Sequence, residues 1–351
     1  MLNLPQTLSL AAAATLLLAP LAAAQTPTPA AAQTPPQQPA PAPAPPPVYV
    51  PTSLTPDADT PRAPDGRPDL QGAIWATNFF PVFEASPLAT KLVVSEAEAK
   101  KMVDTMVAGM ASIPGFNIDP EAHDIIGGTD GLPLVRGERR SRLIVLPASG
   151  KLPISPETKK SIAGVDHMDG AKDDYEQRPS GERCLVLSGN PPIYAIIAYN
   201  RLRIVQTPTH IVIHSENGDE ARIIPFATEH KAPGPRSWFG DSIAHWDGDT
   251  LVIETIRQNP NDRVRGLMTK FVVGEDAKVS ERFTRVSKSE LLYQFTIEDP
   301  KVYTAPWLGE FSFFTTSTGM FPSACHEHNY SLPNILQGAR AIEAKTAGKT
   351  Y

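Results

Sequence analysis

The most regular pattern along this chain has a period of two. Residues 291–298 read LLYQFTIE, which puts Leu291, Tyr293, Phe295 and Ile297 on one face and Leu292, Gln294, Thr296 and Glu298 on the other. Successive side chains of an extended chain point to opposite sides, so this spacing predicts a strand with one strongly apolar face. Short runs rich in Ile and Val at 202–206, 210–215, 221–226, 249–256 and 279–286 read the same way, and 310–316 adds a further strand. The residues between them are hairpin chemistry. Asn217-Gly218, Asp247-Gly248 and the stretch Ser287 to Glu290 each join two such runs, and Asn-Gly and Asp-Gly accept the positive φ that a two-residue turn demands.

Helical spacing is rarer. Ser95-Glu96-Ala97-Glu98 reads as a capping box, and Ala99, Met102, Val103, Met106 and Met110 continue it at intervals of three and four. A short helix over 156–163, an opening strand over 69–77 with Trp75 buried, and a short strand over 142–147 complete the reading. Consecutive hairpins leave one apolar face that must be buried by curling, closing or stacking. The expected fold is mostly β: an antiparallel curved sheet or closed barrel with a few peripheral helices, and a β-sandwich as the alternative. A propeller is disfavoured because no repeat of 20–50 residues is visible.

Composition changes the picture at the N-terminus. Residues 1–24 carry no charged side chain, hold an apolar run from Leu8 to Leu21 and end in Ala22-Ala23-Ala24. That is the form of a cleaved signal peptide, and the run is too short for a comfortable membrane span. Residues 25–67 are a Pro/Ala-rich linker, expected to be disordered, since 15 of the 37 prolines fall within 25–69 and such a segment has little to bury. Residues 68–351 then form a single β-rich domain. No later stretch is apolar enough to span a bilayer, so the expected location is periplasmic or secreted. A net charge of −6 without basic clusters argues against nucleic acid as a partner.

Several stretches are similar to one family of secreted bacterial β-rich proteins. "FGDSIAHWDGDTLVIET" (239–255) resembles its GDSxGxWEGDTLV motif, and "ACHEHNYSLPNILQGAR" (324–340) resembles its ACHExNY motif. "ERFTRVSKSELLYQFTIEDPKVYTAPW" (281–307), "IVQTPTHIVI" (204–213) and "PDLQGAIW" (68–75) resemble further landmarks, so the likeness covers nearly all of the mature domain. The resemblance implies export and domain boundaries, and brings no reaction with it. This chain departs from the pattern at His328 and Ala244, where the family carries glycine, and at Gly72-x-x-Trp75, one residue longer than G-x-W. The G-x-W opening is similar to that of lipocalin-like barrels.

The candidate chemistry gathers at 324–330. Cys184 and Cys325 are the only cysteines, and an even pair in an exported chain most simply forms one disulfide. His326 and Glu327 follow at once and are candidate catalytic residues, with His326 as general acid or base and Glu327 as its partner. Asp241 joins them because it precedes the strand expected over Ser242 to Trp246 and follows the aromatic stretch Trp238-Phe239, a position that suits a pocket rim. Tyr330, Asn329, Trp246 and His245 are candidate ligand-binding groups. His326 and His328 could share one side of a strand, but a catalytic zinc normally takes three protein ligands, and no HExxH or paired CxxC is present, so no metal site is assigned. Asp247 and Asp249 read as turn chemistry rather than calcium ligands. Without G-x-S-x-G or a phosphate-cradling glycine loop, neither a serine hydrolase nor an organic cofactor is expected. The glycine-rich stretch 115–133, with His123 and Asp124, could serve as a lid. The functional expectation is a pocket for a small, mostly apolar or aromatic molecule. The chemistry there is cofactor-independent acid/base catalysis of the lyase, isomerase or hydrolase kind, and the alternative is a non-catalytic carrier or cell-envelope binding protein.

Overall fold

The computed structural model describes residues 55–77, 82–112, 131–163, 173–187, 189–194, 201–231, 234–261, 264–265, 271–327 and 329–348. The expected signal peptide, most of the linker, the lid candidates His123 and Asp124, and His328 lie outside the described residues. The chain is mostly β. In order it runs β1 (Ile74–Ala76), β2 (Val93–Val94), α1 (Glu96–Ala111), β3 (Leu134–Val135), β4 (Glu138–Arg140), β5 (Ile144–Leu146), α2 (Pro156–Ser161), β6 (Arg201–Gln206), β7 (His210–Ser215) and β8 (Glu220–Pro225). It continues with β9 (Asp241–Asp247), β10 (Thr250–Ile256), β11 (Val264–Arg265), β12 (Phe271–Val272), β13 (Lys278–Arg285), β14 (Glu290–Glu298), β15 (Trp307–Thr316) and α3 (Ser331–Thr346).

One large antiparallel sheet carries the order β8-β7-β6-β1-β15-β14-β13-β10-β9, with β5 paired to β15. Its registers follow the alternation in the sequence. Tyr293 sits opposite Phe283 on one side and Phe311 on the other, so the apolar faces of three strands coincide. Tyr293 lies with its ring centroid 4.8 Å from Phe283, 5.1 Å from Phe311 and 5.7 Å from Phe295. Cross-strand aromatic pairs of this kind add to the burial of large apolar area. Trp75, Leu202, Ile204, Ile213, Ile224, Leu251 and Ile253, from β1, β6, β7, β8 and β10, share the same core. Side chains therefore fill the inner face of the sheet.

The sheet curls but does not close into a barrel. Its two outer strands, β8 and β9, meet at one parallel bridge between Phe226 and Ala244, where Ala227 N–H donates to Ala244 O at 3.2 Å. β8 ends at Pro225, which has no N–H to offer a neighbour, and beyond it only Phe226, bonded through its N–H to Thr209 O at 2.9 Å, and Ala227 still hold to the sheet. The closed form of the expected barrel is thereby replaced by a curved sheet with a seam.

The opposite face of β14 and β15 is covered by the small sheet β2-β4-β3, beside which α1 packs. Val135 packs on Val286 and Leu292, while Ala99 and Met102 of α1 pack on Ala89 and Leu132. The capping box forms as the sequence predicts: Ser95 N–H donates to Glu98 Oε2 at 2.8 Å and Glu98 N–H to Ser95 Oγ at 3.3 Å. A second polar set is buried between these layers, where Glu310 accepts from Gln294 Nε2 at 2.9 Å and faces Arg140 at 3.4 Å. Burial raises the Glu310 carboxyl above the ordinary carboxylate range.

The last part of the predicted linker is packed on the domain. Asp57 N–H donates to Val286 O at 2.8 Å, Thr60 is buried, and Arg62 forms a two-pronged pair with Asp249 at 2.8 and 2.9 Å. Residues 57–71 thus cross the end of the sheet at which the β9–β10 and β13–β14 turns lie, so tertiary packing begins before Pro68. None of the helices among the described residues is long and apolar enough to cross a membrane.

Candidate functional site

Cys184 and Cys325 are joined, with Cα atoms 5.8 Å apart across a separation of 141 residues. Such a bridge fits a chain that matures outside the reducing cytoplasm. It is half-buried, and Asn329 braces it: the Asn329 amide donates to Glu182 O at 2.7 Å and lies 3.3 Å from Cys184 Sγ. Asn329 Oδ1 also accepts from Leu332 N–H at the start of α3. The other described residues of the motif after the bridge face water. His326 and Glu327 are exposed, and Tyr330 is 70% exposed. Phe321 N–H donates to Glu216 Oε1 at 2.8 Å, which ties the approach to the motif onto the end of β7.

Asp241 stands elsewhere, at the start of β9, in a different polar cluster. Its Oδ2 accepts from Arg257 Nη1 at 3.1 Å and lies 3.4 Å from Nδ1 of His230. The Asp241 side chain is 30% exposed and that of His230 17%. His230 Nδ1 is shut off from solvent without a well-formed hydrogen bond, so a small ring rotation would close it onto Asp241. Catalytic hydrogen bonds are often long before a ligand arrives. Arg257 is held in place by a second bond, from Nη2 to Lys231 O at 2.9 Å.

The local backbone explains how these groups meet. Arg257 adopts φ +59 and Gly240 φ +67. The first is uncommon for a side-chain-bearing residue and is the sort of strain that clusters at working sites. At Gly240 a Cβ would come within 2.6 Å of Ile256 O, so only glycine lets the chain before Asp241 lie against the end of β10. Next to it Gln258 is wholly buried, and neither its Oε1 nor its Nε2 has a hydrogen-bond partner among the described residues. A buried amide without partners is costly and calls for an explanation. Trp238 and Phe239 lie half-buried just ahead of Gly240.

His245 and Trp246 lie towards the other end of β9. His245 is exposed, and Trp246 is half-buried under Arg67, whose guanidinium sits 5.5 Å from the ring centroid. The predicted residues therefore fall in three places: around the disulfide, at Asp241, and beside Arg67. Among the described residues no hydrogen bond or ion pair joins Asp241 to His326 or Glu327. His230, Arg257 and Gln258 escape sequence reasoning because each sits in a connection without periodicity, and only folding brings them to Asp241.

A third cluster is enclosed in the sheet. Arg222 of β8 reaches across the inner face to Glu281 of β13, with Nη1–Oε1 at 3.0 Å and Nη2–Oε2 at 2.5 Å. The Tyr293 hydroxyl donates to Glu281 Oε1 at 2.8 Å and accepts from Ile193 N–H at 2.8 Å. Burial, reinforced by the Glu281 charge, pushes the Tyr293 hydroxyl well above its ordinary pKa, so it stays protonated.

No family model, curated protein or solved structure matches the chain. Its chemistry is therefore argued from these side chains alone.

Proposed function

We propose that the protein is an exported enzyme, periplasmic or secreted, that acts on a small apolar or aromatic molecule by proton transfer without an organic cofactor. The reaction class is a lyase, isomerase or hydrolase step. The observation that supports this reading is the sheltered His230 ring facing Asp241, beside a Gln258 amide unpartnered among the described residues. His230 is the acid/base, with Asp241 holding Nδ1 and leaving Nε2 to the substrate. Arg257 fixes the Asp241 carboxylate, and Gln258 supplies a donor and an acceptor to a polar group of the ligand. Trp238 and Phe239 form the apolar side of the site. His326 and Glu327, exposed beside the disulfide, take no part in the proton transfer.

The test begins with a library of small aromatic and apolar compounds, screened for turnover and for thermal shift against the full chain. His230→Ala should abolish turnover of any hit. Asp241→Asn should lower kcat more than it changes KM, because it orients the base rather than binding the ligand. Equal turnover in wild type and His230→Ala would overturn the assignment. Ligand-induced shifts without conversion would favour a carrier.

A further inference from the structure

β1 is only three residues long, and the wall it builds between β6 and β15 is incomplete. Ahead of Ile74 the chain turns away through Gly72, at φ +75. An open groove of about 690 Å³ lies there, bordered by β6, the end of β15 and the β13–β14 turn. Its lining includes Arg203, Arg285 and Lys288, with Gln71, Thr315 and Thr316 as neutral polar groups, and contains no aspartate or glutamate. The chain as a whole carries a net charge of −6. A purely cationic lining is thus a local feature against the general charge, and it lies at the opposite end of the sheet from Asp241, as the antiparallel registers require.

The three cations are held differently. Arg285 is 5% exposed and donates only to neutral carbonyls: Ser287 O at 3.2 Å, Lys288 O at 2.7 Å and Asp69 O. Its guanidinium lies 5.0 Å from the Trp75 ring centroid. Asp69 is the carboxylate nearby, and its Oδ1 accepts from Gln71 N–H at 2.8 Å. Among the described residues no carboxylate oxygen pairs with the guanidinium, and the Asp69 charge offsets only part of the burial, an arrangement that favours a charge-complementary ligand. Lys288 pairs with Asp59 at 2.7 Å, but both side chains are about two-thirds exposed (67% and 63%), and such a surface pair yields easily. Arg203 is exposed and makes no ion pair or side-chain hydrogen bond among the described residues.

We infer that this groove binds an organic anion carrying two or more carboxylate or phosphate groups. Arg203 and Lys288 clamp the anionic groups, and Arg285 supplies a fixed field from beneath. The volume suits a small organic molecule rather than a single inorganic ion. Arginine presents a fork that matches an oxyanion, whereas lysine offers a movable point charge.

Isothermal titration of the full chain with citrate, and separately with fructose 1,6-bisphosphate, tests the inference and distinguishes carboxylate from phosphate. Saturable one-to-one binding is expected for at least one probe, weakening at least threefold between 50 and 200 mM NaCl because exposed charges are screened. Arg203→Glu combined with Lys288→Glu should weaken it at least tenfold with an unchanged unfolding midpoint, since both side chains are exposed. Lys101→Glu, on α1, should leave binding unchanged. Absence of saturable binding by both probes, or equal affinity in the double variant, would overturn the inference.

Discussion

Two polar clusters in this protein each hold a carboxylate against a cation, and they differ in how completely they are used. Glu281 is 0% exposed, and its oxygens meet two guanidinium nitrogens and a phenol. Every partner arrives from a different strand or loop, so the set is assembled only when the sheet has curled. Asp241 is partly open, shares one oxygen between Arg257 and His230, and stands near an amide that has no partner among the described residues. The difference separates a cluster committed to the fold from one with capacity left over. A buried ion pair is poor at changing its protonation or accepting a ligand, because either step strands a charge in a medium of low polarity. The partly exposed Asp241 cluster can accept a ligand without that cost.

The largest effect should come from breaking the enclosed set. Glu281→Ala leaves Arg222 buried without its counter-charge and should cost about 3–5 kcal/mol in urea unfolding. A loss below about 1 kcal/mol would mean that water reaches Arg222, and the contrast with Asp241 would fail. Tyr293→Phe keeps the ring packing but removes a bond to Glu281 and one from Ile193 N–H, so a loss of about 1–3 kcal/mol is expected. The opposite sign distinguishes the second cluster. Gln258→Met keeps similar length and removes two unpartnered polar atoms, so stability should stay level or rise by up to about 1 kcal/mol, while ligand handling suffers. A clear destabilisation would show that the amide is satisfied in solution, by water for example. The smallest effect should be at the disulfide motif: His326→Ala, at an exposed position, should stay within about 0.5 kcal/mol of wild type by urea unfolding and leave turnover intact.

Much of the fold was legible because alternation is a local property. Leu291 to Ile297, 210–215 and 249–256 were readable as strands, and Ser95-Glu98 as a helix start, from neighbours a few residues apart. One turn was readable to within a residue, since Gly248 takes the positive φ that Asp247-Gly248 promised, whereas the two-residue turn expected at Asn217-Gly218 is a four-residue connection between Ser215 and Glu220. The enclosed cluster also left a trace. Glu281 lies on the Val279 and Phe283 face, and Arg222 on the Ile224 face, so two opposite charges at core-facing positions could have been paired in advance. What stayed hidden was whether the sheet closes. That turned on where β8 stops and on how Phe226 and Ala227 meet β9, which no spacing encodes.

The sequence by itself determined the β character, the hairpin order and the redox logic of an exclusive cysteine pair, now seen as the Cys184–Cys325 bridge. Tertiary structure alone decided where the charged groups meet. It left His326 in solvent, carried His230 to Asp241, and gathered Arg203, Arg285 and Lys288 around one groove. The physical reason is that strand alternation is set by backbone geometry over two residues, whereas a site is set by the curl of a whole sheet, to which every strand contributes.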